Sequence, residues 1–318
     1  MSQVTALKAF IRTLRIKHIL FAGLPAACVI LFAIGLPKPL FHDPVSTVLF
    51  DRNGVLLGAR IADDGQWRFP EATAIPEKLK VCVIAFEDRY FYRHPGFNPG
   101  SLVRALVQNI RAKRIVRGGS TLTMQVIRLA RKGKPRTVGE KCIEIILATR
   151  LEWSASKEEI LRLYCSHAPY GGNVVGLEAA SWRYFGVSSP DLSWAEAALL
   201  AELPNSPSLM HPGKNRTELT AKRNRLLERM WRDGKMDSMT CGMARLEAVP
   251  DMPVPLPHLA PHLLSRVYGL QPDKPVRSTI DASLQARTAD IVNRYHAVYR
   301  YNEIQSGSPD RGGGNGMC

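Results

Sequence analysis

The sequence EDRYFYRHPG (residues 87–96) opens the stretch that decides the fold, which continues through GGSTLTMQ (residues 118–125) and closes on a predicted helix with Lys141 and Glu144. Between Arg89 and Gly139 there are twelve Lys or Arg residues and no Asp or Glu. The whole chain has a net charge of +15, so this window supplies most of the excess. Carboxylates at both ends of an acid-free basic run indicate an acid or base that works beside a bound anion.

Length and composition predict a folded protein of one or two domains. The 318 residues can bury a sizeable core, and 45% hydrophobic and 22% charged residues argue against wholesale disorder. A pI near 9.8 points to acidic partners, which are nucleic acid, an anionic membrane surface or a phosphorylated substrate. The cysteines contain no C-x-x-C pair, which argues against a zinc site and a dense disulfide framework; they are Cys28, Cys82, Cys142, Cys165, Cys241 and Cys318.

The N-terminus predicts a membrane anchor. Residues 1–17 are basic without an acid, and eighteen residues without a charge follow from Ile19 to Leu36. At 1.5 Å per residue this run spans about 27 Å, close to the hydrocarbon core of a bilayer. We therefore expect a transmembrane helix at 18–37, with residues 1–17 in the cytoplasm and the remainder outside. A cleaved signal peptide is the alternative, but the run exceeds a usual apolar segment and no A-x-A site follows.

The remaining pattern predicts a mainly α fold with one small β-hairpin. The hairpin covers residues 46–69 and turns at Asn53-Gly54, a strong tight-turn signal. Ser156 and Ser193 each begin a capping box, and Ser120 is the expected N-cap of the helix that follows the two glycines. Helices are expected at 77–91, 99–114, 120–131, 137–152, from 156, 176–184, from 193, 217–233 and 282–300, with a Pro-rich linker between the last two.

Glu87 lies on the apolar face of its predicted helix. Partial burial there raises the pKa of a carboxylate towards the range of a general base, whereas the basic run nearby lowers it. Sequence alone leaves that balance open. The alternative is a surface glutamate paired with Arg89 or Arg93.

The segment Gly118-Gly119-Ser120-Thr121 is suited to an anion. Two glycines allow close approach of the backbone, and the free N–H groups of the following helix favour negative charge. It is not a Walker A loop, because no Gly-Lys-Ser/Thr follows, and ordinary helix capping explains Ser120 equally well. A domain outside the cytoplasm does not meet nucleic acid, so phosphorylated lipid at the membrane surface remains as the anion.

Five segments in order resemble the motifs of the family 51 peptidoglycan glycosyltransferases, the polymerising domain of class A penicillin-binding proteins. The matching segments are residues 87–96, residues 118–125, Lys141 with Glu144, residues 170–186 and residues 192–204. Thr123-Met124-Gln125 and residues 169–173 most resemble the penicillin-binding protein 1C branch.

This resemblance implies a lysozyme-like fold and polymerisation of lipid II into glycan strands, with release of undecaprenyl pyrophosphate and inversion at the anomeric carbon. It implies that Glu87 is the general base and that Glu144 is a second catalytic carboxylate. The residues that match substrate-binding positions are Asp88, Phe91, His94, Ser120, Thr121, Gln125, Arg128 and Lys141. Phe91 and His94 would shape the catalytic pocket, and the last five would hold the pyrophosphate and sugars.

The resemblance also implies partners and a location. These are lipid II, the growing glycan chain, the membrane and other cell-wall synthesis proteins, in a single-pass protein of the bacterial inner membrane. No cofactor is required by the sequence, although family members often use a divalent cation (Mg²⁺ or Mn²⁺) at the pyrophosphate.

Two departures weaken the match. Glu140 stands where the family has an arginine, so Arg136 or Lys141 would have to hold the leaving group. Cys165-Ser166 replaces the usual Leu-Asn.

The predicted domain limits are 45–215 for the glycosyltransferase, 216–275 for a helical and Pro-rich linker, and 276–318 for the truncated start of a transpeptidase region with a disordered tail. The S-x-x-K at Ser154–Lys157 reads as a helix cap, and no K-T-G follows. We therefore expect no peptide cross-linking and no acylation by penicillin. The competing functions are a lysozyme-like lytic enzyme with Glu87 as acid and an inactive scaffold that binds lipid II.

Overall fold

The computed structural model describes Phe32 and residues 36–112, 119–132, 134–135, 137–205 and 215–301. The expected cytoplasmic segment 1–17 and nearly all of the expected anchor at 18–37 lie outside these residues. No helix within the described part combines the length and the apolar character needed to cross a bilayer.

The described residues are mainly helical, which confirms the predicted class, whereas the lysozyme-like type of that class stays a prediction. The helices are α1 (Glu77–Glu87), α2 (Pro99–Ala112), α3 (Leu122–Ala130), α4 (Val138–Ser154), α5 (Lys157–His167), α6 (Leu177–Tyr184), α7 (Trp194–Glu202), α8 (Arg216–Arg232), α9 (Ser238–Leu246), α10 (Pro261–Leu270) and α11 (Ala282–Tyr301). The strands are β1 (Thr47–Phe50), β2 (Leu56–Arg60), β3 (Trp67–Arg68), β4 (Pro169–Gly171), β5 (Val174–Val175) and β6 (Pro275–Arg277).

The chain forms two compact units. Of the described residues, the first unit contains those up to Val45 and those within Ala62–Pro255, and the second contains Ser46–Ile61 and those from Leu256 to Tyr301. The predicted domain limits at 45, 215 and 275 stay predictions, because these units describe packing and not independent folding.

The core of the first unit is built on α7, which is buried along nearly its whole length. Its capping box is present as predicted: the Ser193 hydroxyl accepts from the backbone of Glu196, whose carboxylate accepts from the Ser193 N–H. Helix α1 packs on α7 through its buried apolar face, which includes Leu79 and Val83. Glu87 is the last residue of α1.

Helix α3 lies against α4 and α5 and contributes four buried apolar side chains, Leu122, Met124, Val126 and Ile127. A three-stranded sheet of order β3-β5-β4 joins the same unit, with β3 parallel and β4 antiparallel to β5. The capping box predicted at Ser156 is present only in part: the Ser156 side chain accepts from the backbone of Glu159, but the described residues show no return hydrogen bond from the Ser156 N–H to the Glu159 carboxylate.

Two helix ends differ from the prediction. The helix expected over 77–91 ends at Glu87, because Asp88 leaves the helical conformation and directs its carboxylate to the start of α3. The expected N-cap at Ser120 was wrong: Thr121 is the N-cap, and its side chain accepts from the Met124 N–H. Ser120 is therefore left to contact other side chains. Helices α9 and α10 were not predicted, and Pro261 occupies the first turn of α10 rather than an extended linker.

The second unit confirms the predicted hairpin. Strands β1 and β2 pair antiparallel, and the Asp51 carboxylate accepts from the backbone of Asn53 and Val55 to close the turn. Strand β6 adds to β1 in parallel, giving the order β2-β1-β6. Leu49 and Leu57 of the hairpin form an apolar core with Leu264 of α10.

Candidate active site

Glu87 receives hydrogen bonds from three elements that are distant in sequence. Its Oε2 accepts from Gln125 Nε2 on α3 at 2.7 Å. Its Oε1 accepts from the Tyr164 hydroxyl on α5 at 3.3 Å and from Asn205 Nδ2, which lies in the short 3₁₀ turn after α7. The carboxylate is thus held where α1, α3, α5 and the end of α7 meet.

Burial raises the pKa of Glu87 to about 7 and outweighs the hydrogen bonds from Gln125 and Tyr164, which lower it. The negative charge of Asp88 adds to the increase. The balance that the sequence left open is therefore decided by burial. Among the described residues, no ion pair includes Glu87, and Arg89 pairs instead with Asp233 at 3.3 Å. A carboxylate with a pKa near neutrality is suited to accept a proton.

A second cluster contains two cations and one hydroxyl. The Ser120 hydroxyl accepts from Arg128 Nη2 at 3.0 Å and from Lys141 Nζ at 2.6 Å. Because both lone pairs of this oxygen are used, its own proton is directed away from the two cations and can be donated to an anion. About a third of the Arg128 and Lys141 side chains is exposed, so this cluster is open to a ligand.

Glu144 forms ion pairs with both of these cations. Its two oxygens accept from Arg128 Nε at 2.7 Å and Nη2 at 2.8 Å, and from Lys141 Nζ at 3.1 Å. Burial alone would raise the pKa of Glu144, but the hydrogen bond from Arg128 and the charge of Lys141 outweigh it and lower the pKa. Glu144 is thereby held ionised, and its catalytic role stays a prediction. The geometry is that of an anchor for two side chains.

Asp88, His94 and Thr121 hold the first turn of α3. Asp88 Oδ2 accepts from the Leu122 N–H at 3.1 Å and lies 2.9 Å from His94 Nε2. The Thr121 hydroxyl donates to the Gly96 carbonyl at 2.6 Å. These three side chains and Phe91 are buried. Their expected contact with substrate stays a prediction, whereas their contacts in the structure are with the protein itself.

Sequence reasoning missed Tyr164 and Asn205. They lie 77 and 118 positions from Glu87, and neither shows a local pattern that indicates the contact. Of the two departures, Glu140 pairs with Arg131 at 2.7 Å, and the Ser166 hydroxyl is buried without a hydrogen-bond partner among the described residues. Gly118 and Arg136 lie outside the described residues.

The described residues contain no group of three or more His, Cys, Asp or Glu that could hold a metal ion. Both oxygens of Glu144, the carboxylate of the cationic cluster, are taken by Arg128 and Lys141. These protein groups therefore do not by themselves fit a divalent cation, and the expected Mg²⁺ or Mn²⁺ at the pyrophosphate stays a prediction.

Comparison with known proteins identifies one matching family and several similar proteins. Residues 55–231, more than half of the chain, match the family described as transglycosylase. Penicillin-binding protein 1C of Escherichia coli (strain K12) is 39% identical over 261 residues, which cover 81% of this chain and 34% of that protein. Penicillin-binding protein 1A of Aquifex aeolicus (strain VF5) is 35% identical over 231 residues, which cover 71% of this chain and 31% of that protein.

A solved structure of penicillin-binding protein 1A from Haemophilus influenzae aligns with a TM-score of 0.37 at 18% identity, over 77% of this chain and 28% of that one. The chain thus spans about a third of the length of the curated relatives that it matches.

Proposed function

This chain belongs to the transglycosylase family, and on that premise we propose that it is a peptidoglycan glycosyltransferase that polymerises lipid II into glycan strands. One observation carries the proposal. Helix α3 presents Gln125 to Glu87 and, three residues later, Arg128 to Ser120 and Glu144. Residues three apart lie on one helix face and are separated by about 4.5 Å along the axis. A proton acceptor and a cationic, anion-binding cluster are thus held side by side.

The reaction follows from these two parts. Glu87 takes the proton of the 4-hydroxyl of the incoming N-acetylglucosamine while that oxygen bonds to C1 of the N-acetylmuramic acid at the end of the growing chain. The bond from C1 to the pyrophosphate oxygen breaks, and its electron pair leaves with undecaprenyl pyrophosphate. Attack opposite to the leaving group inverts the anomeric carbon.

The leaving group develops negative charge, and fixed positive charge stabilises it in the transition state. Arg128 and Lys141 supply that charge, and the Ser120 hydroxyl supplies a donor between them. Glu144 keeps both cations in place and ionised, so its role in this proposal is to position them. Since the cluster exists before a ligand binds, little reorganisation is needed when charge develops.

We further propose a single-pass protein of the bacterial inner membrane whose catalytic part faces outward. The basic segment 1–17 and the uncharged run of eighteen residues support this orientation. Lipid II and the growing glycan would then reach the site at the membrane surface. Other cell-wall synthesis proteins are further partners in this proposal, and nucleic acid is not.

A lytic, lysozyme-like enzyme is the second candidate, because a glutamate with a pKa of about 7 is also suited to be a general acid. Hydrolysis of a glycan has no pyrophosphate to stabilise, so the Ser120, Arg128 and Lys141 cluster favours the transferase. A scaffold that binds lipid II without turnover is the third candidate, and the unpartnered Ser166 hydroxyl is the observation in its favour.

The deciding experiment incubates the detergent-solubilised chain with labelled lipid II. We expect polymer from the wild type and from Glu77→Gln, which changes an exposed glutamate on the same helix, and no polymer from Glu87→Gln. Equal polymer from the wild type and Glu87→Gln would remove Glu87 from its role. Shortened fragments from preformed glycan indicate the lytic enzyme, and retained lipid II binding without product indicates the scaffold.

A further inference from the structure

The two oxygens of Glu87 are not equivalent. An ionised carboxylate offers about four lone-pair positions, two on each oxygen. Oε1 accepts two hydrogen bonds, from Tyr164 and Asn205, whereas Oε2 accepts one, from Gln125. Within the part of the chain that the structure describes, no other donor reaches this carboxylate. One lone pair therefore remains, and it belongs to Oε2.

We propose that Tyr164 and Asn205 are positioning residues that hold Oε1 of Glu87, so that Oε2 is the atom that receives the proton of the attacking hydroxyl. The inference rests on the proposed transferase function and assigns a task to two residues outside the motif positions given above. In the reaction, the proton moves to Oε2 as the hydroxyl oxygen bonds to the anomeric carbon and the pyrophosphate departs with its electron pair.

Tyr164 is suited to this task because it remains a donor under all working conditions. Burial raises the pKa of its hydroxyl well above the ordinary value, and the negative charge of Glu87 raises it further. The side chain is only 1% exposed, so water does not compete for the hydroxyl. A neutral, buried donor that cannot lose its proton fixes the orientation of the carboxylate without neutralising it.

Asn205 lies beside Glu87 because the helix that precedes it packs on the helix that carries Glu87. It lies in the 3₁₀ turn Leu203–Asn205 that directly follows α7, and α7 packs on α1, the helix that carries Glu87. An amide donates without adding charge, so this contact orients Oε1 and leaves the carboxylate unpaired by a cation. Asn205 is exposed, unlike Tyr164, and can be changed without opening the core.

The test measures initial rates of lipid II polymerisation from pH 5.5 to 9 for the wild type, Tyr164→Phe and Asn205→Ala. Both changes remove a donor that favours the ionised form of Glu87. We expect the acidic limb of the kcat profile to move upward by about half to one pH unit. At the plateau, we expect kcat to fall about tenfold with KM within about twofold, because orientation is lost and not substrate binding.

Tyr170→Phe is the matched control. Tyr170 is also 1% exposed, but its hydroxyl donates to the Cys165 carbonyl at 3.4 Å and not to Glu87. We expect its acidic limb to coincide with that of the wild type, with the same fold by circular dichroism. Should Tyr164→Phe fail to fold, Asn205→Ala decides the question alone.

The outcomes separate the two proposals. A wild type that makes no polymer contradicts the proposed function and this assignment with it. If the wild type is active, and both Asn205→Ala and folded Tyr164→Phe have the same acidic limb and the same plateau kcat as the wild type, the assignment is contradicted. The proposed function then still stands. A shift in Tyr170→Phe equal to that in Tyr164→Phe also overturns it, since the effect would then come from loss of any buried hydroxyl.

Discussion

Ser120 shows how much one hydroxyl can contribute when it does not cap its helix. Thr121 takes the capping position, so the Ser120 oxygen is available to Arg128 Nη2 and Lys141 Nζ. Two cationic donors on one oxygen increase the acidity of its own O–H, which is then a stronger donor to an anion. In the proposed function, Ser120 therefore acts on the charge of the ligand rather than on helix stability.

Changing Ser120 to alanine should lower kcat/KM for lipid II about tenfold, since a hydrogen bond to a charged group contributes about 1.5 kcal/mol. The melting temperature should stay within about 2 °C of the wild type, because the cap at Thr121 is intact. Ser154→Ala, which removes an exposed hydroxyl at the end of α4, serves as the control. A fall in stability with unchanged kinetics would mean that Ser120 is structural after all.

The rate of polymerisation should depend on the ionisation of Glu87. A general base works in its deprotonated form, and the pKa of this carboxylate is about 7, against 4.5 for an ordinary glutamate. We therefore expect the rate to fall as the pH drops below about 7 and to level off above about 8. Initial rates in a series of buffers at constant ionic strength measure this; a plateau that extends down to pH 5 would contradict the assignment.

At the scale of elements, the first turn of α3 depends on a residue that directly follows a different helix. Asp88 follows α1 directly and accepts from the Leu122 N–H, one of the unpaired donors of the α3 N-terminus. Because Glu87 precedes Asp88, this bond ties Glu87 to the helix that carries Gln125 and Arg128. The two adjacent carboxylates therefore both accept hydrogen bonds from α3.

Asp88→Ala should lower the free energy of unfolding by about 2–4 kcal/mol, because it leaves the buried Leu122 N–H and His94 Nε2 without an acceptor. Urea denaturation measures the loss. Thr137→Ala removes the N-cap of the more exposed α4 and should cost about 1 kcal/mol. If Asp88→Ala keeps wild-type stability and only raises KM, then Asp88 contacts substrate as the sequence predicted.

Short sequence patterns correctly predicted those elements that depend only on neighbouring residues. The capping box at Ser193 and the turn at Asn53-Gly54 each depend on a few neighbouring residues, and both are present. Ser120 and Thr121 are both good caps, so the choice between them depends on tertiary contacts, those of Ser120 with Arg128 and Lys141 and that of Thr121 with Gly96.

The site residues that the sequence did not predict are those whose role depends on tertiary contacts. Tyr164 reaches Glu87 across 77 positions and Asn205 across 118, and neither position differs in type from an ordinary core tyrosine or turn asparagine. The sequence indicates that burial and charge compete at Glu87, but only the packing of α1, α3, α5 and the end of α7 around its carboxylate decides that burial wins.

At the scale of the whole molecule, the described carboxylates whose pKa is shifted fall into two classes with opposite effects on stability. Hydrogen bonds and nearby cations lower the pKa of one class, whereas burial raises the pKa of the other. The first class contains Asp51, Glu71, Glu140, Glu144, Glu158, Asp237 and Asp281, and the second contains Glu87, Glu178, Glu196 and Glu202. The first class adds stability above pH 4 that is lost in acid. The second adds stability below pH 4.5 that is lost as the pH rises through the raised pKa of each group, which is about 7 for Glu87 and Glu202.

Stability should therefore be greatest near pH 5, and Glu202 offers the clearest test. Its side chain is buried, its Oε2 has no hydrogen-bond partner among the described residues, and burial raises its pKa to about 7 despite the nearby cations of α8. The folded state binds the proton more tightly than the unfolded chain, so ionisation costs up to about 3 kcal/mol at pH 8.

Glu202→Gln, which stays neutral, should melt at a higher temperature than the wild type at pH 8 and at nearly the same temperature at pH 5. The exposed Glu77→Gln should follow the wild type at both values. An equal shift at pH 5 and pH 8 would show that packing of the amide, and not the charge of Glu202, is responsible.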